Sequence, residues 1–432
     1  MNRGNSISTS LTTPVPLAFS DPKATQQKTH FAPFLPLARI LLPSPPLEPI
    51  IMIITQSKPS TDSPPAVGFH YESPPAEPAP QALDPGSVLV SFLFAPINPQ
   101  DLLVIAGRYP VKPAYSHDGE PILGYDGVAR VEAVGSGLSP SSDGAPALRQ
   151  GDLVIPRRHG LGTWRSQAVL DAVDVIRLSP TDDLIGASLL RMAFLPAYLL
   201  VEDVVVSGSL KPGDWIVQNA GSGTIARLVA QFARIKGVRT ASVVRDRDAE
   251  SLETLRAELL AEGRGASIVV TESELAGRGV EAHPDLASAA GRDRVVLAID
   301  GVFGEAGERL ASLLSHGGTY VNYGSLGGAD GAVRLSQRLL FWSEVRFRNF
   351  RLSEQLGQRT PAQIESTLLW FQDLLARGVL VTPQVRRIQV PVSTGDKAEF
   401  EERVGEAVSL VGDGGIGNVK RVLEFKRTLT TV

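Results

Sequence analysis

The pattern of apolar and polar positions changes near residue 201, and this change predicts two kinds of domain. Before it, short apolar runs at 88–94, 127–134 and 151–155 are separated by Gly and Pro, which predicts a β-rich module. After it, strand patterns alternate with helical patterns, as is typical of a doubly wound parallel sheet. The predicted fold class is therefore α/β. The later strands are expected at residues 214–219, 240–244, 294–300 and 318–323.

The first strand–helix–strand unit after residue 201 has the features of a dinucleotide-binding unit. Its helix carries apolar residues at the spacing of one buried face, and Gly237 follows as the expected end of the helix. The loop before the helix contains Gly221 and Gly223. The third glycine position is Ala226, which is still small enough for close packing of helix on strand. The apolar face consists of Ile225, Leu228, Val229, Phe232 and Ile235.

Two arginines follow the second strand of this unit, in the run Arg245-Asp246-Arg247. In dinucleotide-binding domains this position meets the adenine ribose. A carboxylate there binds the 2′-OH of NAD, whereas an arginine accommodates the 2′-phosphate of NADP. A planar guanidinium also donates two hydrogen bonds to a phosphate at once. The run therefore favours NADPH as the cofactor, the alternative being a solvated charged turn.

Residues 1–60 are rich in Ser, Thr and Pro, and their basic residues outnumber the acidic residues Asp21 and Glu48. This composition is typical of a mitochondrial targeting segment. A disordered tail, or translation that starts at Met52 and gives a cytoplasmic protein, are the alternatives. Because such a segment buries little apolar surface, we expect it to be dispensable for folding.

Composition argues against several classes of partner. The net charge is −4 and no basic block is present, which argues against a nucleic-acid partner. The apolar run at residues 49–54 is far too short to cross a bilayer, and no membrane span is predicted. The chain has no cysteine and its six histidines are scattered, so no metal site is expected.

The end of the chain is predicted to return to the β-rich module. A helix begins at Thr360-Pro361 and ends before Gly378, and a strand follows at 421–425. The predicted organisation is a targeting or disordered segment (1–60), the first part of the catalytic domain (61–200), an NADPH-binding domain (201–345) and the return to the catalytic domain (346–432).

One tyrosine of the β-rich module lies in a Gly/Pro-rich loop, Gly107-Arg108-Tyr109-Pro110, shortly after Asn98-Pro99-Gln100-Asp101. A tyrosine in such a loop can donate a proton or hold a carbonyl oxygen. A lone tyrosine is more often a packing residue, and spacing alone does not decide between the two.

The order of motifs resembles the medium-chain dehydrogenase/reductase superfamily over about residues 85–425. The motifs are Asn-Pro-x-Asp, Gly-x-Tyr-Pro, Gly-x-x-Gly-Val, Gly-Asp-x-Val-Ile-Pro, Gly-Thr-Trp-Arg, Gln-Asn and Val-Arg-Asp-Arg. Within the superfamily, the chain is most similar to the mitochondrial trans-2-enoyl thioester reductases. Gly162-Thr163-Trp164-Arg165 together with Arg245-Asp246-Arg247 is the most specific part of the resemblance.

The resemblance implies a GroES-like catalytic domain, an inserted Rossmann domain and an active site between them. It implies NADPH-dependent reduction of trans-2-enoyl thioesters, carried on CoA or an acyl carrier protein, in fatty-acid synthesis. A hydride goes to Cβ and a proton to Cα. A homodimer is the expected assembly.

The resemblance also assigns roles by position. Tyr109 matches the catalytic tyrosine. The matching cofactor contacts are Gly223, Thr224, Ile225, Ala226, Arg245, Asp246, Arg247, Tyr323, Gly324, Ser325, Leu326, Phe350, Arg351, Leu352 and Lys420.

Several positions depart from the family pattern. Ala193 and Phe194 occupy the usual Asn-Pro pair, Thr224 and Ala226 replace glycines, and Arg351 replaces a tryptophan. These changes favour weaker NADPH binding or a specialised paralogue. A quinone or alkene reductase of the same superfamily, and a non-catalytic paralogue that acts as a binding protein, remain alternatives. Acyl-chain length and carrier stay open.

Overall fold

Two sheets organise the fold. The computed structural model describes residues 50–57, 66–73, 83–108, 112–138, 147–202, 210–326, 331–391, 397–409 and 419–426. All of them belong to one unit, residues 47–432. The strands are β1 (Ile51–Gln56), β2 (Val67–Glu72), β3 (Ser87–Pro96), β4 (Ser116–His117), β5 (Glu120–Pro121), β6 (Val128–Val134), β7 (Leu153–Pro156), β8 (Gln167–Asp171), β9 (Val175–Arg177), β10 (Trp215–Gln218), β11 (Arg239–Val244), β12 (Ile268–Thr271), β13 (Val295–Asp300), β14 (Thr319–Asn322), β15 (Arg346–Asn349), β16 (Val385–Val390) and β17 (Lys420–Phe425). The helices are α1 (Pro99–Ile105), α2 (Leu184–Leu189), α3 (Leu195–Glu202), α4 (Thr224–Ile235), α5 (Ala249–Leu260), α6 (Glu272–Arg278), α7 (Pro284–Ala290), α8 (Gly304–Ser312), α9 (Leu352–Gly357), α10 (Pro361–Ala376) and α11 (Lys397–Ser409).

The first sheet is mostly antiparallel and has seven strands in the order β16-β17-β3-β6-β7-β9, with β8 also paired to β3. The two C-terminal strands therefore join the sheet that begins with β3: β17 runs antiparallel to β3, and β16 runs parallel to β17. Trp164 and Tyr125 are fully buried in the core of this region.

The second sheet is parallel, in the order β12-β11-β10-β13-β14-β15. This is the strand order of a Rossmann domain, and it confirms the predicted α/β class. Helix α4 buries Leu228, Val229 and Phe232 as the periodicity predicts, and Gly237 adopts a φ of 70°. Ile235, the last residue of the predicted face, is 39% exposed because the helix ends there.

The interpretation of residues 1–60 as lying wholly outside the fold is wrong at its C-terminal end. Residues 51–56 form β1, which pairs antiparallel with β2 and buries Met52 and Ile54 completely. The backbone of Ile54 also bonds to Trp164 O at 2.9 Å and accepts from Leu123 N at 3.0 Å. An apolar run too short for a membrane is long enough for a buried strand. Residues 1–49 lie outside the described residues.

The parallel sheet also extends past the predicted boundary at residue 345, because its edge strand β15 begins at Arg346. In sequence, the pattern of β15 is obscured because its side chains are mostly exposed. Arg346 and Arg348 alternate with Phe347, which packs on Tyr320.

A long apolar helical run crosses the core between the sheets. Helix α2 continues through a π-helical turn, Leu190–Phe194, into α3. Of the helices that the structure describes, this run alone is long and apolar enough to cross a bilayer, yet 83% of it is buried within the protein. Tyr198 of α3 packs on Phe232 of α4 and Phe371 of α10, so the run links α4 and α10.

Candidate active site

A cavity of about 230 Å³ lies where the carboxyl ends of the parallel strands meet the starts of α1 and β17. Strands β10 and β13 are neighbours although they are not consecutive, so this edge is the point where strand order reverses. Ligands of doubly wound sheets bind at this point. The lining residues are Ile97, Asn98, Pro99, Gln100, Leu102, Met192, Ala193, Ala220, Gly223, Thr224, Ile225, Gly301, Tyr323, Gly324, Leu326, Ala407, Val419, Lys420 and Arg421.

The glycine loop between β10 and α4 supplies one wall of the cavity. Gly223 is the N-cap of α4, and no side chain caps this helix end. The first-turn N–H groups and the positive end of the helix dipole are suited to a diphosphate. At Gly221 a Cβ would lie only 2.9 Å from Val243 O, so the close approach of loop and β11 requires glycine. The loop therefore fits the diphosphate of a dinucleotide.

The replacements in this loop are accommodated in two ways. Thr224 and Ile225 line the cavity, so their side chains reduce the room available there. Ala226 is buried, and its carbonyl accepts a hydrogen bond from Gln218 Nε2 at 2.8 Å. Ala226 therefore belongs to the contact between α4 and the sheet rather than to the cavity wall.

A buried polar group joins the two parts of the chain at the cavity. Lys420 Nζ donates a hydrogen bond to Asn98 Oδ1, and Asn98 N donates to Asp101 Oδ2 at 2.7 Å. Burial lowers the pKa of Lys420 to about 8, opposed by Asp101 and Asp126. Burial also raises the pKa of Asp101 to about 7. In the sequence, Lys420 is assigned to the site by resemblance alone, and Asn98 has no predicted role there. The Asn-Pro-x-Asp capping motif was the available signal.

A second polar network fixes the loop after β13. Asn219 Nδ2 donates to Asp300 Oδ1 at 2.5 Å, and Gly301 N donates to Asn219 Oδ1 at 2.8 Å. The Tyr320 hydroxyl donates to the other oxygen of the fully buried Asp300. Gly301 lines the cavity, so these bonds between β10, β13 and β14 shape its wall. Asn219 belongs to the Gln-Asn motif of the resemblance, but the sequence assigns no role in the site to any residue of this network.

Two motifs of the β-rich module meet behind the cavity. Thr163 Oγ1 donates to Asp126 O at 2.6 Å, and Trp164 N donates to Leu123 O at 2.9 Å. Gly124 adopts a φ of 100°, and a Cβ there would lie 2.7 Å from Trp164 N. The Gly-Thr-Trp-Arg motif is thus structural: it holds the turn that contains Asp126.

Asp126 connects this turn to the cavity wall. Its Oδ2 accepts from the backbone N–H of Met192 at 3.1 Å, and Met192 lines the cavity. Beside it, Arg191 Nη1 lies 3.1 Å from Nδ1 of His159. Because arginine can only donate, His159 accepts at Nδ1 and is neutral. Burial, with Arg191 adding to it, lowers the pKa of His159 to about 3.

The structure brings about half of the predicted site residues to the cavity. Ser325 lies beside Tyr323 and Gly324 but does not line the wall, and Phe350 is buried in the core cluster between the sheets. Leu352 packs against the same cluster. Tyr109 lies outside the described residues. The predicted residues that do line the cavity are Gly223, Thr224, Ile225, Tyr323, Gly324, Leu326 and Lys420.

Arg351, another predicted cofactor contact, lies at the protein surface and not at the cavity. Its side chain is 71% exposed and pairs with Glu354 three residues later at 3.3 Å. It is not among the residues that line the cavity. Arg351 is therefore a surface residue in this structure.

Arg245, Asp246 and Arg247 follow β11 at the edge of the sheet that also carries the glycine loop. Arg245 is exposed, and Arg247 Nε donates to Arg245 O at 3.3 Å. The carboxylate of Asp246 is bonded to Ser273 on α6. The three residues share an edge with the cavity without lining it, as expected for the distal end of an elongated ligand.

Comparison with known proteins agrees with this geometry. Residues 84–180 match the alcohol dehydrogenase GroES-like domain. Over 303 residues the chain is 34% identical to the human mitochondrial enoyl-acyl-carrier-protein reductase. The matched region covers 70% of this chain and 74% of the human protein.

Solved structures with the same fold include Etr1p, the mitochondrial 2-enoyl thioester reductase of Candida tropicalis, known as a complex with NADP and crotonyl-CoA and as a heterodimer with Etr2p. The TM-score is 0.69 at 22% identity, covering 87% of this chain and 99% of the other. A putative NADPH:quinone reductase from Bacillus thuringiensis has a TM-score of 0.62 at 24% identity, with the same coverage. At these identities the two structures show a shared fold.

Proposed function

The chain belongs to the family of mitochondrial enoyl-acyl-carrier-protein reductases, and from this premise we propose that it reduces trans-2-enoyl thioesters of CoA or acyl carrier protein with NADPH in fatty-acid synthesis. The observation that carries the proposal is one cavity lined by the glycine loop, the loop after β14, and Lys420 with Asn98. These three features come from distant parts of the chain and converge at the reversal point of the sheet.

The residues present fit a phosphorylated dinucleotide. The uncapped start of α4 suits the diphosphate, and Arg245 and Arg247 supply positive charge for the 2′-phosphate. Tyr323, Gly324 and Leu326 would border the nicotinamide half, with Lys420 on the opposite module. NADPH, when bound, supplies the hydride that is added to Cβ of the enoyl thioester. The protein orients the two reactants and excludes water.

The protonation of Cα is assigned to Tyr109 by resemblance. In the sequence, Tyr109 follows α1 by four residues, and the start of α1 forms part of the cavity wall. A tyrosine in this place would donate a proton to Cα or hold the thioester oxygen. Tyr109→Phe keeps the ring and removes only the hydroxyl, so a loss confined to turnover would support the role.

The cavity wall is suited to an acyl chain next to polar groups. Met192, Ala193, Leu326 and Val419 contribute apolar surface, while Asn98 and Lys420 form the polar end. By resemblance, Ala193 stands at the position of the asparagine in the family pattern, so this wall is less polar than that pattern implies. The proposed substrate therefore joins an apolar chain to a polar thioester.

A quinone reductase of the same superfamily is the second candidate. Its support is the fold that the chain shares with the putative NADPH:quinone reductase. NADPH oxidation measured with crotonyl-CoA, longer enoyl-CoAs and a quinone separates the two. Reduction of thioesters supports the proposal, whereas reduction of the quinone alone supports the second candidate. Lack of NADPH binding would favour the non-catalytic alternative.

Assembly and location are part of the proposal. A homodimer is supported by β15, the edge strand of the parallel sheet in the described part of the chain, and by the nearby side chains of Leu340, Phe341 and Trp342, which are 49%, 66% and 67% exposed. Sedimentation analysis tests the assembly. A mitochondrial location is supported by the relatives and by the composition of residues 1–60, and a reporter fused to those residues tests it.

A further inference from the structure

The carboxylate of Asp246 accepts its hydrogen bonds on the side of β11 that faces away from the glycine loop. Ser273 N donates to Asp246 Oδ2 at 3.1 Å, and the Ser273 hydroxyl donates to Oδ1. Ser273 lies on α6, directly after β12. Because β11 separates β12 from β10, and the glycine loop follows β10, both carboxylate oxygens are occupied away from that loop.

Ser273 itself is held in place by its neighbours. Thr271 and Glu274 form a capping box at the start of α6, with Thr271 N donating to Glu274 Oε2 at 2.7 Å. Arg256 of α5 donates to both oxygens of Glu274 at 2.9 Å. The hydrogen bond from Ser273 lowers the pKa of Asp246, so the bound group is the carboxylate. The position of Ser273, the donor, is thus set by α5 and α6 together.

Two arginines, Arg245 and Arg247, lie on either side of Asp246. Arg245 is exposed, and Arg247 donates to the backbone oxygen of Arg245. Within the part of the chain that the structure describes, neither guanidinium forms an ion pair with a carboxylate. Asp246 is the acidic residue that is adjacent in sequence to both arginines.

We propose that Ser273 is a positioning residue for cofactor specificity: by holding Asp246 beside β12, it leaves the place of the adenosine 2′ substituent to Arg245 and Arg247. A carboxylate turned toward that place would accept from the 2′-OH of NADH and repel the 2′-phosphate of NADPH. By holding the carboxylate away from this place, Ser273 thus removes an attraction for NADH and a repulsion of NADPH. The inference rests on the proposed function, because it takes this edge of the sheet as the cofactor site.

The test is a fluorescence titration of NADPH and of NADH, without thioester, on the full chain. Ser273→Ala should lower the ratio of the NADH to the NADPH dissociation constant on the order of tenfold, because specificity is a difference between two affinities. Ser273→Thr keeps the hydroxyl and should keep the ratio. Asp246→Asn added to Ser273→Ala should restore most of it, since the loss requires the carboxylate.

The outcomes separate this inference from the proposed function. A wild-type protein that binds neither cofactor overturns the proposed function and this inference with it. A wild-type protein that prefers NADPH, with an unchanged ratio in Ser273→Ala, overturns only the role of Ser273. If Ser273→Ala melts below the assay temperature, the ratio of dissociation constants is compared between Ser273→Thr and Ser273→Val instead. These two side chains have nearly the same shape, and only that of threonine carries the hydroxyl. Equal ratios in that pair also overturn the role.

Discussion

The ammonium group of Lys420 donates a hydrogen bond to Oδ1 of Asn98, across 322 positions of sequence. Because lysine only donates, this bond fixes which end of the Asn98 amide faces Lys420. The pair joins β17, the last strand that the structure describes, to the start of α1, and both residues line the cavity. The proposed cofactor site is therefore closed by the catalytic module, not by the Rossmann domain alone.

The Asn98–Lys420 pair should be coupled in cofactor binding. A hydrogen bond to a charged group contributes about 1.5–3 kcal/mol, which corresponds to roughly 10- to 150-fold in affinity. We expect Asn98→Ala to weaken NADPH binding within this range, because Lys420 loses the group that orients it. In a Lys420→Met background the same change should have little further effect. Fully additive losses in a double-mutant cycle would contradict the coupling.

Arg245→Ala should weaken NADPH binding by roughly 10- to 150-fold and leave NADH binding almost unchanged, because one charge-assisted contact to the 2′-phosphate is lost. Titration of both cofactors measures the two constants. Arg278→Ala makes the same charge change on α6, in the last turn of the helix, and serves as the control. An equal loss for both cofactors in Arg245→Ala would rule out a phosphate contact.

Strand β1 should be required for stability. Ile54 is fully buried, and replacing a buried Ile by Ala costs about 2–5 kcal/mol. Ile54→Ala should lower the free energy of unfolding in urea by this amount. Val169→Ala, at a position that is 50% exposed on β8, should have a much smaller effect. A chain that starts at Ser60 lacks β1 and should be destabilised further; equal stability with the full chain would contradict the packing described.

The free energy of unfolding should decrease as the pH falls, and His159 should contribute to this decrease. Its pKa is lowered to about 3 in the fold and is about 6.5 in an unfolded chain. Between these values the unfolded state binds the extra proton, so stability is full above pH 6.5 and is lost as the pH falls toward 3.

His159→Gln removes this titration while keeping an acceptor for Arg191. From pH 7.5 to pH 5 the wild type should lose about 1–2 kcal/mol more than the variant. Urea unfolding at both pH values measures the difference. The same pH dependence in both proteins would show that His159 is not buried in its neutral form.

The parts of the fold that sequence predicts well are those fixed by local periodicity. The unit from β10 to β11 follows from the buried face of α4 and from Gly237. Helix α10 follows from Thr360-Pro361, where Thr360 caps the helix and bonds Gln363 N at 3.2 Å. In both cases neighbouring residues contain the whole signal.

What the sequence does not reveal is set by distant contacts. Strand β1 is missed although its residues are apolar, because its pairing with β2 and its bonds to Leu123 and Trp164 come from other parts of the chain. The contact of Lys420 with Asn98 depends on β17 returning to β3, and the contact of Asp246 with Ser273 depends on β11 and β12 being neighbours. Phe350 matches a family position, yet packing directs it into the core. Such pairings follow from topology and not from spacing.

The central claim is tested most directly by NADPH oxidation with trans-2-enoyl-CoA substrates, comparing the wild type with Tyr109→Phe. The account predicts turnover by the wild type, with one saturated acyl thioester formed per NADPH consumed. It predicts a loss of turnover of about 10²–10⁴-fold in the variant, the usual range for a general acid, with NADPH binding nearly unchanged. No reduction of any enoyl thioester by a wild-type protein that binds NADPH would contradict the account.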